Sequence, residues 1–348
     1  MKRIFILFSF VFIGLSLTAQ DVHFSQYYAS PLTLNPALTG KFNGLYRVTA
    51  IYRDQWRNIQ QQKSNTYMTP SLSVDFSLLK DKLKNSALGV GAVVTYDKVG
   101  AFNTIDVGAN VAYHLGLDKK GKVHIALGFQ GLYSNRRLDP DFKFEDEIVG
   151  NLTTSPDDNL NTDAKHVFDL GAGMLVDAQI GKATTLYGGY SANHILTPKD
   201  DFIDNPTGAS DYKTPLRHVV HVGAEIEIKK TMIIPGLLFQ TTANTNEINF
   251  GVTAGYKIIE KPKKNTSVFL GAWYRLNEGG ALIAKAGIDF ENFRITGAYD
   301  IGLAGMGKDS KSATNVNRLP SAFEIGISYF GQGKKPTPAN TYLFNPRF

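Results

Sequence analysis

The chain has no cysteine among its 348 residues and only two tryptophans. Without thiols it can build neither disulfides nor thiolate metal sites, and thiol redox chemistry is excluded. After residue 19 there is no run of ~18 apolar residues, so no membrane-spanning helix is expected in the mature protein. Catalytic signatures are missing too: there is no Gly-x-Ser-x-Gly elbow, no His-Glu-x-x-His pair and no phosphate-cradling glycine loop. No enzymatic activity, cofactor or metal is therefore expected. The formal charge is +6, but the lysines are dispersed among turns and no basic helix or aromatic-interleaved motif occurs, which argues against a nucleic-acid partner.

What the chain does contain begins with a targeting segment. Lys2 and Arg3 precede an apolar stretch from Ile4 to Leu17, and Ala19 closes a small-residue cleavage site, so residues 1–19 read as a signal peptide. The mature protein is expected to begin near Gln20, and no cysteine follows that could anchor a lipid.

From about residue 44 to 330, some fourteen segments alternate apolar and polar side chains with period two, each of a length that crosses a bilayer when tilted. In one, Ile105, Val107, Ala109, Val111, Tyr113 and Leu115 alternate with Asp106, Gly108, Asn110, Ala112 and His114; in the last, Phe323, Ile325, Ile327 and Tyr329 alternate with Glu324, Gly326 and Ser328. One face meets lipid and the other a polar interior. The pattern predicts an all-β fold, a transmembrane antiparallel β-barrel of about fourteen strands lodged in outer-membrane lipid. Pro235, which cannot donate to a ladder, marks a candidate bulge in the ninth strand.

Connection lengths alternate as such barrels require. With the first strand running outward, the external connections are about 54–66, 97–103, 136–165, 195–215, 242–246, 277–280 and 304–320, and brief periplasmic turns lie between them. Aromatic residues are expected in interfacial girdles at Tyr46, Tyr52, Tyr96, Tyr113, Phe129, Tyr133, Tyr190, Tyr256, Phe290, Phe293, Tyr299 and Tyr329. The inward face carries both signs: Arg47, Asp75, Asp106, Asp169, Asp177, Glu225, Glu227, Arg275, Lys285, Asp289, Arg294 and Asp300. Mixed charge points to paired wall residues in a closed lumen rather than to an ion-selective channel. An acidic stretch from Asp139 to Glu147 lacks the spaced ligands and turn glycine of a calcium loop.

Residues 20–43 form an aromatic, proline-punctuated segment too apolar for a loose leader, and the lumen is the nearest surface to receive it. Its run from Asp21 to Gly40, followed by Tyr52, Arg53, Asp54, Gln55, Trp56 and Arg57, closely resembles the PorP/SprF family of outer-membrane proteins of the type IX secretion system in Bacteroidetes. Those proteins show "QDxHFSQYYxSPLxLNPAxTG" and "YRDQW" at these places. The resemblance implies a non-enzymatic role in secretion or surface retention of a large, adhesin-like protein, alongside other secretion components. It carries over to Phe24, Ser25, Gln26, Tyr27, Tyr28, Pro31, Asn35 and Pro36, and to Arg53, Asp54, Gln55 and Trp56, as plug or partner-binding residues, with Trp56 and Arg57 near the outer mouth. A C-terminal cysteine common in the family is missing here. The remaining residues 331–348 read as a periplasmic tail whose aromatic end, Tyr342, Phe344 and Phe348, is a candidate docking element. The rival reading is an outer-membrane pore for a small solute.

Overall fold

In the computed structural model, the residues described are 22–57, 67–80, 83, 85–139, 164–199, 213–243, 245–261, 264–276, 280–303, 319–333 and 346. The signal-peptide reading, most of the acidic stretch after Asp139, and Tyr342, Phe344 and Phe348 lie outside them.

Fourteen antiparallel strands close into one barrel, each paired with its sequence neighbours. They are β1 (Tyr46–Gln55), β2 (Tyr67–Leu78), β3 (Ser86–Val99), β4 (Phe102–Gly116), β5 (Val123–Leu138), β6 (Lys165–Ile180), β7 (Thr184–Asn193) and β8 (Arg217–Ile228). The circuit continues with β9 (Thr231–Thr242), β10 (Thr245–Lys261), β11 (Lys264–Leu276), β12 (Ala281–Phe290), β13 (Phe293–Gly302) and β14 (Ser321–Gly331). The sheet closes where β1 pairs with β14, in register from Tyr46 opposite Gly331 to Gln55 opposite Ala322. No helix among the described residues is long and apolar enough to cross a membrane.

The alternation fixes which face is which. Leu72, Val107, Val111, Leu127, Leu170, Val222, Leu270 and Ile325 are exposed on the outside, whereas Arg47, Ser71, Asp75, His114, Asp177, His221 and Glu324 are buried within. Aromatic contacts fall near both ends of the apolar band: Tyr46 with Phe76 and Tyr329, and Phe293 with Tyr329, at one end; Tyr52 with Phe323, and Tyr133 with Phe168, at the other. Phe129 departs from the expected girdle, since it sits at the middle of β5.

Two local expectations are corrected. Pro235 makes no bulge: β8 and β9 keep one register across it, from Gly223 opposite Gly236 to Ile226 opposite Ile233, and the ladder lapses between those pairs because the proline has no N–H to give. The register shift in the sheet is instead between Lys257 and Ile259 of β10. The supposed loop over 97–103 is strand nearly throughout, with Asp97 opposite Thr104 and Lys98 opposite Asn103, leaving Gly100 and Ala101 as the turn. The pairing outlasts the apolar band because polar side chains bond across it, Tyr96 Oη donating to Asn103 Oδ1 at 2.7 Å. At the opposite end Asp118 organises a turn by accepting the N–H groups of Val123, Lys122 and Lys120, and those donors hold its carboxyl below the usual carboxylate range.

Inside the barrel lies the segment preceding β1. It comprises a 3-10 turn at Tyr27–Ala29, the short helix α1 (Pro31–Leu34) and a second 3-10 turn at Pro36–Leu38. Each of the last two starts on a proline, whose fixed φ suits a first helical position, and Asn35 Oδ1 caps the second by accepting the N–H of Ala37 at 2.9 Å. The wall admits this backbone where it has no side chain. A Cβ on Gly128 would collide with the backbone of Pro36 and Ala37, and one on Gly173 with the Asn35 amide. Gly128→Ala and Gly173→Ala are each expected to destabilise the barrel by about 1–3 kcal/mol through overpacking. The check is a lowered midpoint for the heat-induced shift in gel mobility, with the folded band still forming in the cold.

Candidate functional site

The segment from Val22 to Phe42 is tied to the wall in three zones, and these define the interior of the molecule. Near the long-loop end, the backbone N–H groups of Ser25 and Gln26 donate to the two oxygens of Glu324 at 2.6 and 2.9 Å. The Ser25 hydroxyl donates to Asp300 at 2.5 Å and accepts from Arg53 at 2.8 Å. Arg53 also pairs with Glu324 and reaches Asp300 at 3.3 Å, while Arg275 bonds Ser25 and Asp300, the latter at 2.9 Å, and lies 3.6 Å from Glu247 as an ion pair. Glu247 meets His23 at 3.5 Å. The Lys285 ammonium lies on the faces of Trp273 and Tyr27, 3.8 and 5.1 Å from the ring centroids. The cations Arg53, Arg275 and Lys285 thus stand among the carboxylates Glu247, Asp300 and Glu324, so desolvated charges of opposite sign face one another.

The middle zone is largely apolar. Tyr27, Tyr28, Leu34, Ala37 and Leu38 pack with Leu175, Tyr187, Val219, Leu238, Trp273 and Ile283 of the wall. Tyr27 meets Trp273 edge-on at 5.8 Å, and Tyr28 meets Tyr187 at 5.7 Å. Several polar atoms here have specific partners. Asn35 Nδ2 donates to the carbonyls of Met174 and Tyr190 at 3.1 and 3.2 Å, and Tyr28 Oη bonds His221 Nδ1 at 2.9 Å. The carbonyls of Leu32 and Leu34 accept from Gln130 and Ser191.

The third zone is at the short-turn end, where the segment turns back into β1. Fully buried Lys41 pairs with Asp177, which His124 also approaches at 3.2 Å. Gly40 N–H donates to Asp75 at 2.7 Å, and Arg47 grips the same carboxylate with two nitrogens at 2.9 and 2.7 Å. Lys80 donates to the carbonyls of Phe42 and Gly44 at 2.7 and 3.2 Å. Beside this zone a cavity of about 360 Å³ is lined by Asn43, Lys182, Glu225, Glu227, Asp289 and Arg294 among others.

The candidates read from the sequence therefore divide. Phe24, Ser25, Gln26, Tyr27, Tyr28, Pro31, Asn35 and Pro36 are all buried within the lumen, and Arg53 joins them. The rest of the second motif points elsewhere: Asp54 turns to Tyr52 Oη at 3.1 Å and to Arg57, and Trp56 meets the Tyr67 ring at 4.9 Å, inclined by 58°, on the long-loop rim. Trp56 has φ of 59°, a strained left-handed conformation for a bulky residue. The inward charges pair as wall residues: Arg294 with Asp289, Lys257 with Glu227, His194 with Asp169, and Asp106 with Ser134. Lys41, Glu247, Trp273 and His221 were missed, because their role depends on the path of the lumen segment and no local pattern reveals that path. Among the described residues no group of His, Asp or Glu has the arrangement to hold a metal ion.

A closed sheet with an apolar exterior, aromatic edges and a polar, filled interior defines a transmembrane β-barrel of the outer-membrane kind. A solved structure agrees on the fold: the CymD monoaromatic hydrocarbon channel matches with a TM-score of 0.53 at 11% identity, over 88% of this chain and 94% of that one. The Pseudomonas putida toluene transporter TodX gives 0.48 at 12% identity over 90% and 99%, and a Pseudomonas aeruginosa FadL homologue 0.48 at 8% over 85% and 92%. No curated protein matches the sequence. The chain belongs to the PorP/SprF family of type IX secretion system membrane proteins, whose sequence profile matches residues 16–328. Its barrel accordingly lies in the outer membrane.

The zone around Ser25 makes a direct test possible. Arg53→Met leaves Glu324 buried without its guanidinium and is expected to destabilise the barrel by about 3–5 kcal/mol, whereas Arg53→Met combined with Glu324→Leu should recover much of that loss. Unfolding in urea, followed by tryptophan fluorescence in detergent, measures both. Additive losses in the double variant would deny the coupling.

Proposed function

We propose that this barrel is a sealed, non-catalytic component of the type IX machinery that supports secretion or surface retention of a large, adhesin-like partner, and that it works through its two mouths instead of conducting through its lumen. The observation that carries this reading is the lumen segment itself. It is bonded to the wall near both ends and buries aromatic side chains between them, so it occupies the central section that a solute or an unfolded chain would have to cross. In this reading residues 22–42 are a resident plug, Trp56 and Arg57 stand at the external rim, and the polar cavity by Glu225 and Asp289 faces periplasmic components of the machinery. The tail residues Tyr342, Phe344 and Phe348 would serve as a further docking element there.

Two measurements test the proposal. The tagged full chain, purified from native outer membranes, is expected to bring down a large surface protein together with other secretion components. In planar bilayers the intact barrel is expected to be almost silent, and deletion of residues 21–40 should give stable conductance. Steady conductance by the intact protein with no co-purifying surface protein would favour the small-solute pore instead.

A further inference from the structure

The lumen segment is not packed against the wall evenly. The apolar wall residues that meet it come from β5 round to β13, from Ala126 to Ala298. On the flank where β13, β14 and β1 adjoin, the inward residues are small or hydroxylated: Thr296, Gly326, Ser328 and Thr49. Thr49 Oγ1 and Ser328 Oγ lie 3.1 Å apart across the seam that closes the sheet.

Between this flank and the segment is a pocket of about 20 Å³, bounded on the segment side by Gln26, Ala29 and Pro31. Gln26 is 2% exposed, and neither atom of its side-chain amide makes a hydrogen bond among the described residues. Its backbone N–H is already engaged by Glu324. A buried amide with no partner is costly, and a space of about 10–15 Å³ admits a water that satisfies it. The hydroxyls of Thr49, Thr296 and Ser328 line the same pocket and give that water its other partners.

The pocket adjoins the cavity of about 360 Å³ at the short-turn end, and the two share Arg294 and Phe330 in their linings. Exposed residues of the turns and strand ends, Lys182, Glu291 and Gln332, line the larger cavity, so it opens to solvent. Arg294 stands between the two spaces. It grips Asp289 with two nitrogens at 2.8 and 3.1 Å, and its guanidinium lies 5.4 Å from the Phe330 ring centroid. Along β14 from Phe330, the next inward residues are Ser328, Gly326 and Glu324, the last being the carboxylate that anchors Ser25 and Gln26.

We propose that a water-filled half-channel enters the barrel from the short-turn end, passes Arg294 and ends at the Gln26 amide beside the Glu324 anchor, with Arg294 as its gate. Asp289 and Phe330 hold the gate closed. The charged zone around Ser25 stops the path, so water reaches the anchor from one end without crossing the barrel. The buried segment thereby has one hydrated flank, controlled from the end opposite that anchor. This inference rests on the fold and not on the secretion role proposed above.

Because the chain has no cysteine, an introduced thiol is the sole one in the protein. Ser328→Cys places it in the pocket, and Ser191→Cys places a control on the apolar flank, where the Ser191 hydroxyl is buried against the Leu34 carbonyl. The full chain, folded in detergent as judged by gel mobility, is treated with methyl methanethiosulfonate, which reacts with the thiolate and so reports hydration. Arg294→Ala is expected to speed labelling of Ser328→Cys about tenfold, the effect of removing a charge-assisted pair from the gate, and to leave Ser191→Cys unlabelled until the protein unfolds. Thr296→Cys carries the test if Ser328→Cys does not fold. Labelling that Arg294→Ala leaves unchanged, or speeds equally at Ser328→Cys and Ser191→Cys, would overturn the proposal. Acceleration by Arg53→Met/Glu324→Leu but not by Arg294→Ala would put the entrance at the long-loop end and overturn it equally.

Discussion

A sheet lodged in hydrocarbon has to satisfy every backbone N–H and C=O within itself, because each group left open there costs several kcal/mol. Closure of β1 onto β14 meets that demand and leaves no edge. It also creates the next problem. A ring of fourteen strands is wider than the eight whose side chains can fill their own interior, so an alternating sequence of this length encloses more space than its inward residues occupy. Either water fills the space or another part of the chain does. Here the stretch ahead of the first strand fills much of it, and the composition of the inner wall follows from that choice.

The match between segment and wall is graded along the lumen. Apolar residues of the wall, Leu175, Val219, Leu238, Trp273 and Ile283, sit in the middle, where Tyr27, Tyr28 and Leu38 need them. Charged residues sit toward the ends, with Arg53, Asp300 and Glu324 around Ser25 and Asp177 around Lys41. The apolar middle supplies the favourable burial, since buried ion pairs return little beyond their own desolvation. The charged ends set the depth: displacing the segment along the lumen would leave Glu324 without the N–H groups of Ser25 and Gln26 and Lys41 without Asp177. Direction is fixed as well, because the two ends carry different charge patterns.

Much of the wall was legible in the sequence, because period-two alternation is a local property that every strand states for itself. Val107 and His114 show their faces without reference to any other part of the chain. What alternation missed were the places where strands run past the lipid. Asp97, Lys98 and Asn103 have no apolar face to declare, and their pairing depends on side-chain bonds between partners. The N-terminal segment was recognisable as something that must be buried, from its aromatic and proline content. Its route was not, so nothing in the sequence singled out Lys41 or Glu247, although the one bonds the wall and the other meets the segment at the two ends of that route. Trp273 alternates correctly as an inward residue; the neighbouring Tyr27 and Lys285, and the Thr253 hydroxyl that accepts its N–H at 3.0 Å, explain an indole there.

The same geometry constrains what such a barrel does for secretion. Moving a protein chain through the centre would require breaking both charged zones and exposing the Trp273 and Tyr187 contacts to water, against a segment covalently continuous with β1. Neither rim carries that penalty. The long-loop rim presents Trp56 in a strained backbone conformation, held by a hydrogen bond from its N–H to Ser321 at 2.7 Å and by the Tyr67 ring. The short-turn end offers a polar cavity whose lining mixes Glu225, Glu227 and Asp289 with Lys182 and Arg294. On the proposed reading, a filled centre makes the cylinder rigid and leaves these two ends as its working surfaces. The two ends have different chemistry, aromatic and strained outside, ionic and hollow inside, which suits a protein that meets one kind of partner on each side of the membrane.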